Sequence, residues 1–129
     1  MKQALFIFLG GGLGSVLRWA LASIALARYS RGSFPTGTLV VNLLGCAMAG
    51  LLFGLIARKE WFSPDVRLFL LTGILGGFTT FSAFSVDFIS MMKRGDVGLA
   101  AGYVVASVIG GLGIAWGMFW IATRSLQSA

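Results

Sequence analysis

The sequence has no histidine, one cysteine (Cys46) and only four acidic residues in 129. These shortages exclude a good deal of chemistry. Zinc sites need clustered Cys, His or carboxylate ligands, and no such cluster can be assembled. Histidine is the most frequent general acid–base group, and the four acids are scattered along the chain, so the chain does not read as an enzyme. A lone cysteine closes no intrachain disulfide and says little about redox compartment. Cys46 lies within an apolar run and reads as a small buried hydrophobe. Charge of either sign is scarce, at 11% of residues, against roughly 25% in soluble domains. No polar stretch is long enough for a second domain or a linker.

What is present is apolar surface: 57% of residues are hydrophobic and the mean hydropathy is +0.92. A soluble core of this size could not hide that much from water, so lipid is the natural solvent. The net charge of +6 does not point to nucleic acid, because the basic residues are scattered in pairs between apolar runs. Four runs reach the roughly 20 residues a membrane helix needs: about 3–27, 35–57, 66–92 and 97–123. The expected fold is an all-α membrane domain of four helices spanning 1–129. The first run mimics a secretory signal, but it is too long and is interrupted by Gly10-Gly11-Gly12 and Arg18, so it is expected to remain as a span. Trp61 and Phe62 in the second loop, and Trp116 and Trp120 late in the last run, suit a membrane interface.

Positive charge is almost balanced across the two sides. Lys2, Arg58, Lys59, Arg67 and Arg124 fall on one side, and Arg28, Arg31, Lys93 and Arg94 on the other. The positive-inside rule therefore sets no clear orientation. Insertion both ways permits an antiparallel homodimer, a two-chain version of the inverted repeats of transporters. Glycines spaced by four (Gly10/Gly14, Gly50/Gly54, Gly73/Gly77 and Gly113/Gly117) place small residues on one helix face, where backbones approach closely. They are not nucleotide loops, since Gly10–Ser15 lacks the Lys-Ser/Thr ending of a P-loop.

The third run is the unusual one. Gly76-Gly77-Phe78-Thr79-Thr80-Phe81-Ser82-Ala83-Phe84-Ser85 mixes helix-loosening Gly and Thr with phenylalanines. Irregular backbone at membrane depth is tolerated where protein buries it or it lines a wet cavity, so a break in this helix and an ion pathway are expected. Phe81 and Phe84 share a face, and Ser82 and Ser85 a neighbouring one. The phenyl pair reads either as packing or as positive ring edges that meet a small anion without trapping it. Asn42 reads either as an amide donor to an anion or as interhelical glue. Arg18 either faces an anion-attracting vestibule or snorkels to the interface. Tyr103 and Ser107, one turn apart, extend a hydroxyl track. Asp87, an acid within a span, reads as a cap or anchor.

Three segments in order carry a resemblance over essentially the whole chain: Gly11-Gly12-Leu13-Gly14-Ser15-Val16-Leu17-Arg18-Trp19, Gly37-Thr38-Leu39-Val40-Val41-Asn42-Leu43-Leu44-Gly45 and the third-run motif above. With these the chain resembles the Fluc (CrcB) family of bacterial fluoride channels. The resemblance implies a dual-topology homodimer in the bacterial inner membrane, with two antiparallel pores through which fluoride leaves passively. It implies Phe81 and Phe84 as pore phenylalanines, Asn42 as pore amide and Arg18 as vestibule arginine, with Ser82, Ser85, Tyr103 and Ser107 as polar lining. It implies a structural Na⁺ at the dimer interface, held by the Gly76 and Thr79 backbone carbonyls of both subunits. Two positions depart from the family: Ala83 stands where it usually has Thr, and Asp87 where it commonly has Glu.

Two other classes compete with a channel. A small multidrug transporter has the same size and dual topology but needs an acid in its first span, where this chain has only Arg18. A non-transporting assembly protein explains the glycine faces but not the polar third run.

Overall fold

The computed structural model describes residues 1–29, 34–58 and 62–125. Arg31, Lys59 and Trp61, named above, lie outside the described residues. The described chain is all-helical: α1 (Lys2–Tyr29), α2 (Thr36–Arg58), α3 (Pro64–Arg67), π1 (Leu68–Leu75), α4 (Gly76–Phe78), α5 (Phe81–Lys93), α6 (Val97–Val105), π2 (Ala106–Gly110) and α7 (Gly111–Ser125). These join into four stretches long and apolar enough to cross a membrane: Lys2–Arg28, Thr36–Ala57, Pro64–Lys93 and Val97–Arg124.

Local chemistry sets the ends. Ser63 caps α3 by accepting from the Val66 N–H at 3.4 Å, with Pro64 in the first turn, where a missing N–H costs nothing. After α5 the chain reverses within a few residues. The Gly95 N–H reaches the Met92 carbonyl at 3.1 Å and the Asp96 N–H reaches that of Met91 at 3.0 Å. This is a Schellman closure, and it needs the left-handed φ of +81° that Gly95 supplies.

Packing runs through small residues. α2 lies along α7, and α1 along π1 and α4. A Cβ on Gly10 would stand 2.8 Å from the Phe69 carbonyl oxygen, and one on Gly77 would collide with that of Gly11. Gly50 abuts the backbone of Ala115, and a Cβ on Gly54 would come within 2.7 Å of the Ala122 methyl. Three of the four glycine pairs thus hold helices together inside the chain. Gly113 and Gly117 face open space.

The molecule is apolar outside. Met91, Ala100 and Tyr103 form a small core with Phe34, Leu39, Phe84 and Phe88 against it. Phe8, Trp19, Phe53, Ile109, Leu112 and Trp116 lie on the surface. Exposed apolar area on this scale calls for lipid or another protein surface to cover it. At one end Lys2 pairs with Asp65 at 2.8 Å, which places the start of α1 beside the start of α3. At another, the Arg124 guanidinium stacks 4.0 Å from the Trp120 ring, a pairing suited to an interface.

Candidate ion site at the break in the third helix

The third stretch stops being helical at Thr79 and Thr80. Their backbones are extended, with φ/ψ of −87°/157° and −153°/122°. The cause is visible in the hydrogen bonds. An unbroken helix gives the N–H of residue i+4 to the carbonyl of residue i. Here the Thr80 N–H goes to Asn42 Oδ1 at 2.9 Å, and Asn42 Nδ2 donates back to the Thr80 carbonyl at 3.0 Å. The Ala83 N–H goes to Thr80 Oγ1 at 3.1 Å, so Thr80 caps the restarted helix. The two bonds diverted are those that would have occupied the carbonyls of Gly76 and Thr79. The break therefore releases the two carbonyls that the family resemblance assigns to Na⁺, and hard cations favour such oxygen ligands.

The same pairing spends most of Asn42. Its amide clamps one peptide from both sides, as interhelical glue would, and one N–H remains for another acceptor. Thr79 is anchored by its own N–H and hydroxyl, both to the Leu75 carbonyl at 2.9 Å. Its methyl presses on Gly45, where a Cβ would collide with it.

Beside the break lies a cavity of about 340 Å³, and Asn42, Thr79, Thr80, Phe81, Phe84 and Ser107 meet on it. Cys46 and Leu75 contribute to its apolar wall. The Ser107 hydroxyl is buried and has no hydrogen-bond partner among the described residues. The rings form a ladder: Phe81 to Phe84 at 5.4 Å, Phe84 to Tyr103 at 5.1 Å, and Tyr103 edge-on to Phe34 at 5.8 Å. Tyr103 is fully buried and donates its hydroxyl to the Asp87 carboxylate at 3.2 Å. It backs the cavity rather than opening onto it.

Arg18 is elsewhere. It lines a second cavity of about 270 Å³ with Ser15, Trp19, Thr38, Thr80 and Ala83. Thr80 borders both cavities. Ser82 and Ser85 line neither: Ser82 Oγ lies 3.1 Å from Thr80 Oγ1, and the Ser85 hydroxyl bonds back to the Phe81 carbonyl at 2.9 Å.

Thr80 is the residue that reading the sequence for site residues missed. The signal was present: a Thr three residues before Ala83, at the point where an apolar helical run resumes, has the form of an N-cap. Its pairing with Asn42, 38 positions away, left no local trace.

Comparison with known proteins identifies the family. The family described as "CrcB-like protein, Camphor Resistance (CrcB)" matches residues 5–119. A curated relative from Methylobacillus flagellatus, named "Fluoride-specific ion channel FluC", is 41% identical over 129 residues, covering 99% of this chain and 100% of the relative. Relatives of the same name from Rhizobium johnstonii and Flavobacterium psychrophilum are 50% and 42% identical, the alignments covering 84% and 90% of this chain and 86% and 93% of theirs. From the match across almost its whole length, the chain belongs to the CrcB family.

Proposed function

We propose that this protein is a fluoride-selective channel, multi-pass in the bacterial inner membrane, that lets fluoride leave the cell passively. Its relatives carry that name. The observation in this chain that supports the reading most directly is the hydroxyl of Ser107, buried without a partner among the described residues, in a residue that lines the same cavity as Asn42, Phe81 and Phe84. An unspent donor is costly in a folded protein unless something else receives it. A small anion passing between that hydroxyl, the remaining Asn42 N–H and the phenyl rings would meet several weak partners rather than one strong one, which is what conduction needs. Arg18 would draw anions to the neighbouring cavity.

The functional unit in this reading is an antiparallel homodimer with two pores and its helix breaks at mid-membrane. Balanced flanking charge supports dual insertion. The exposure of Phe81, 78% in the single chain, supports a pore wall that a second copy completes. The Gly76 and Thr79 carbonyls of both copies would hold a Na⁺ at the interface, and that ion would supply positive charge to offset the cost of an anion in a low-dielectric interior. Ser82, Ser85 and Tyr103 would border the path, Tyr103 from behind Phe84.

The test is purified protein in liposomes loaded with fluoride or chloride. Fluoride efflux with chloride retained is the expected result. Efflux of neither anion, or proton-coupled movement of an organic cation, would overturn the reading.

A further inference from the structure

We infer that Thr80, together with Asn42, is a positioning residue for a sodium ion: their side chains capture the two amides that would otherwise close off the carbonyls of Gly76 and Thr79. The inference rests on the sodium site proposed above and adds what makes that site available. The bonds divide the work. Asn42 Oδ1 takes the Thr80 N–H at 2.9 Å, and this is the helical donor of Gly76. Thr80 Oγ1 takes the Ala83 N–H at 3.1 Å, and this is the helical donor of Thr79. Neither side chain touches the ion. Each competes for a backbone donor, so the helix cannot heal across the break. The arrangement is held from behind as well. The Leu75 carbonyl is already occupied by Thr79, and the Gly77 carbonyl faces the Ser15 hydroxyl at 3.5 Å. These contacts occupy two neighbouring carbonyls, and the carbonyls at positions 76 and 79 are the ones whose helical donors a side chain has taken.

Thr80 is also well placed for such a role by type. A hydroxyl at the start of a helix accepts from the third residue on, and serine or asparagine does the same, whereas valine has the shape of threonine without the acceptor. The side chain therefore divides substitutions into two chemical sets that differ little in size.

The experiment follows the stability of the purified full-length protein in detergent as NaCl replaces N-methylglucamine chloride at constant ionic strength. A ligand that binds only the folded assembly raises its melting temperature in a concentration-dependent way, and the sodium concentration at which the rise begins reports affinity. Thr80→Ser and Thr80→Asn should keep the wild-type sodium midpoint. Thr80→Val should raise it about tenfold or more, the size of a lost ligand of modest strength, and Asn42→Leu should do the same through Gly76. A cap with only a structural role would lower the melting temperature equally at every sodium concentration and leave the midpoint in place. That result in Thr80→Val overturns the inference while leaving the sodium site intact. Wild-type stability with no response to sodium removes the site itself and the inference with it. Should Thr80→Val not yield folded protein, Thr80→Ala and Asn42→Leu carry the same comparison, and unchanged midpoints in both overturn it.

Discussion

The Tyr103 hydroxyl donates to the Asp87 carboxylate at 3.2 Å, and the ring that carries it lies 5.1 Å from that of Phe84. Asp87 thereby fixes the rotation of a fully buried side chain that backs a cavity-lining phenylalanine.

This link makes the two partners unequal in mutation. Tyr103→Phe leaves a carboxylate without its donor, and should cost about 1–3 kcal/mol. Asp87→Asn keeps an acceptor facing the hydroxyl and should cost less than half of that. Thermal or denaturant unfolding in detergent measures both. Wild-type stability in Tyr103→Phe would show that the hydroxyl contributes nothing through this bond.

The glycines give a second contrast. A Cβ on Gly50 would run into the Ala115 carbonyl, whereas one on Gly113 meets nothing within 4 Å in the same chain. Backbone cannot move aside as a flexible side chain can, so Gly50→Ala should destabilise by about 1–3 kcal/mol. Gly113→Ala should leave the isolated fold unchanged. If Gly113→Ala weakens self-association, measured as dimer fraction in detergent or lipid, then its open face is a contact with a second copy. A loss of stability in the monomer itself would contradict the geometry.

How far these features were legible in the sequence follows from the range of the forces involved. Four helices were legible because apolar length alone decides whether a segment suits a bilayer. The interruption near Thr79 and Thr80 was legible because Gly76-Gly77 and paired threonines are poor helix interior. What stops the helix there was not: Asn42 reaches Thr80 across 38 positions, and only the packing of α2 beside α4 and α5 brings them together. Gly113 and Gly117 have the same spacing as the inward pairs, and spacing does not say which way a face points. The π-helical turns of π1 and π2 left no pattern in the sequence that distinguishes them from α-helix.

Topology is the third prediction. Near-balanced flanking charge leaves insertion undecided, so a reporter fused after Ala129 should be found on both faces of the membrane. Adding Lys residues to one loop should force a single orientation and abolish function. An oppositely biased copy, co-expressed, should restore it. A reporter confined to one face in the unmodified protein would end the antiparallel dimer.

The phenyl pair comes next. Phe81 and Phe84 lie 5.4 Å apart with rings tilted by 34°, so an anion on the cavity side would meet both. Phe81→Ile and Phe84→Ile keep apolar bulk and remove the ring quadrupole. Fluoride efflux should fall at least about tenfold in either, which corresponds to about 1.4 kcal/mol of lost barrier reduction. Phe84→Ile should also disturb Tyr103, its neighbour in the ladder, whereas Phe81, exposed in the single chain, should lose flux without loss of stability. Wild-type efflux in both variants would leave the rings as packing alone.

Ser107 separates stability from conduction most cleanly. Its hydroxyl is buried with no partner among the described residues, and a buried unpaired hydroxyl costs about 1–3 kcal/mol. Replacing it with Ala therefore removes a penalty and should leave the protein as stable as before or more so. The methyl that remains keeps the shape of the wall beside Asn42 and Phe84. If the hydroxyl exists to meet a passing anion, fluoride efflux from liposomes must drop in the same protein whose melting temperature rises. Packing residues cannot behave in this way, because losing a packing contact lowers both quantities together. Ser107→Thr, which restores the donor at the expense of an added methyl, should recover part of the flux. Full efflux in Ser107→Ala would take the hydroxyl off the fluoride path and leave its burial without a functional cause.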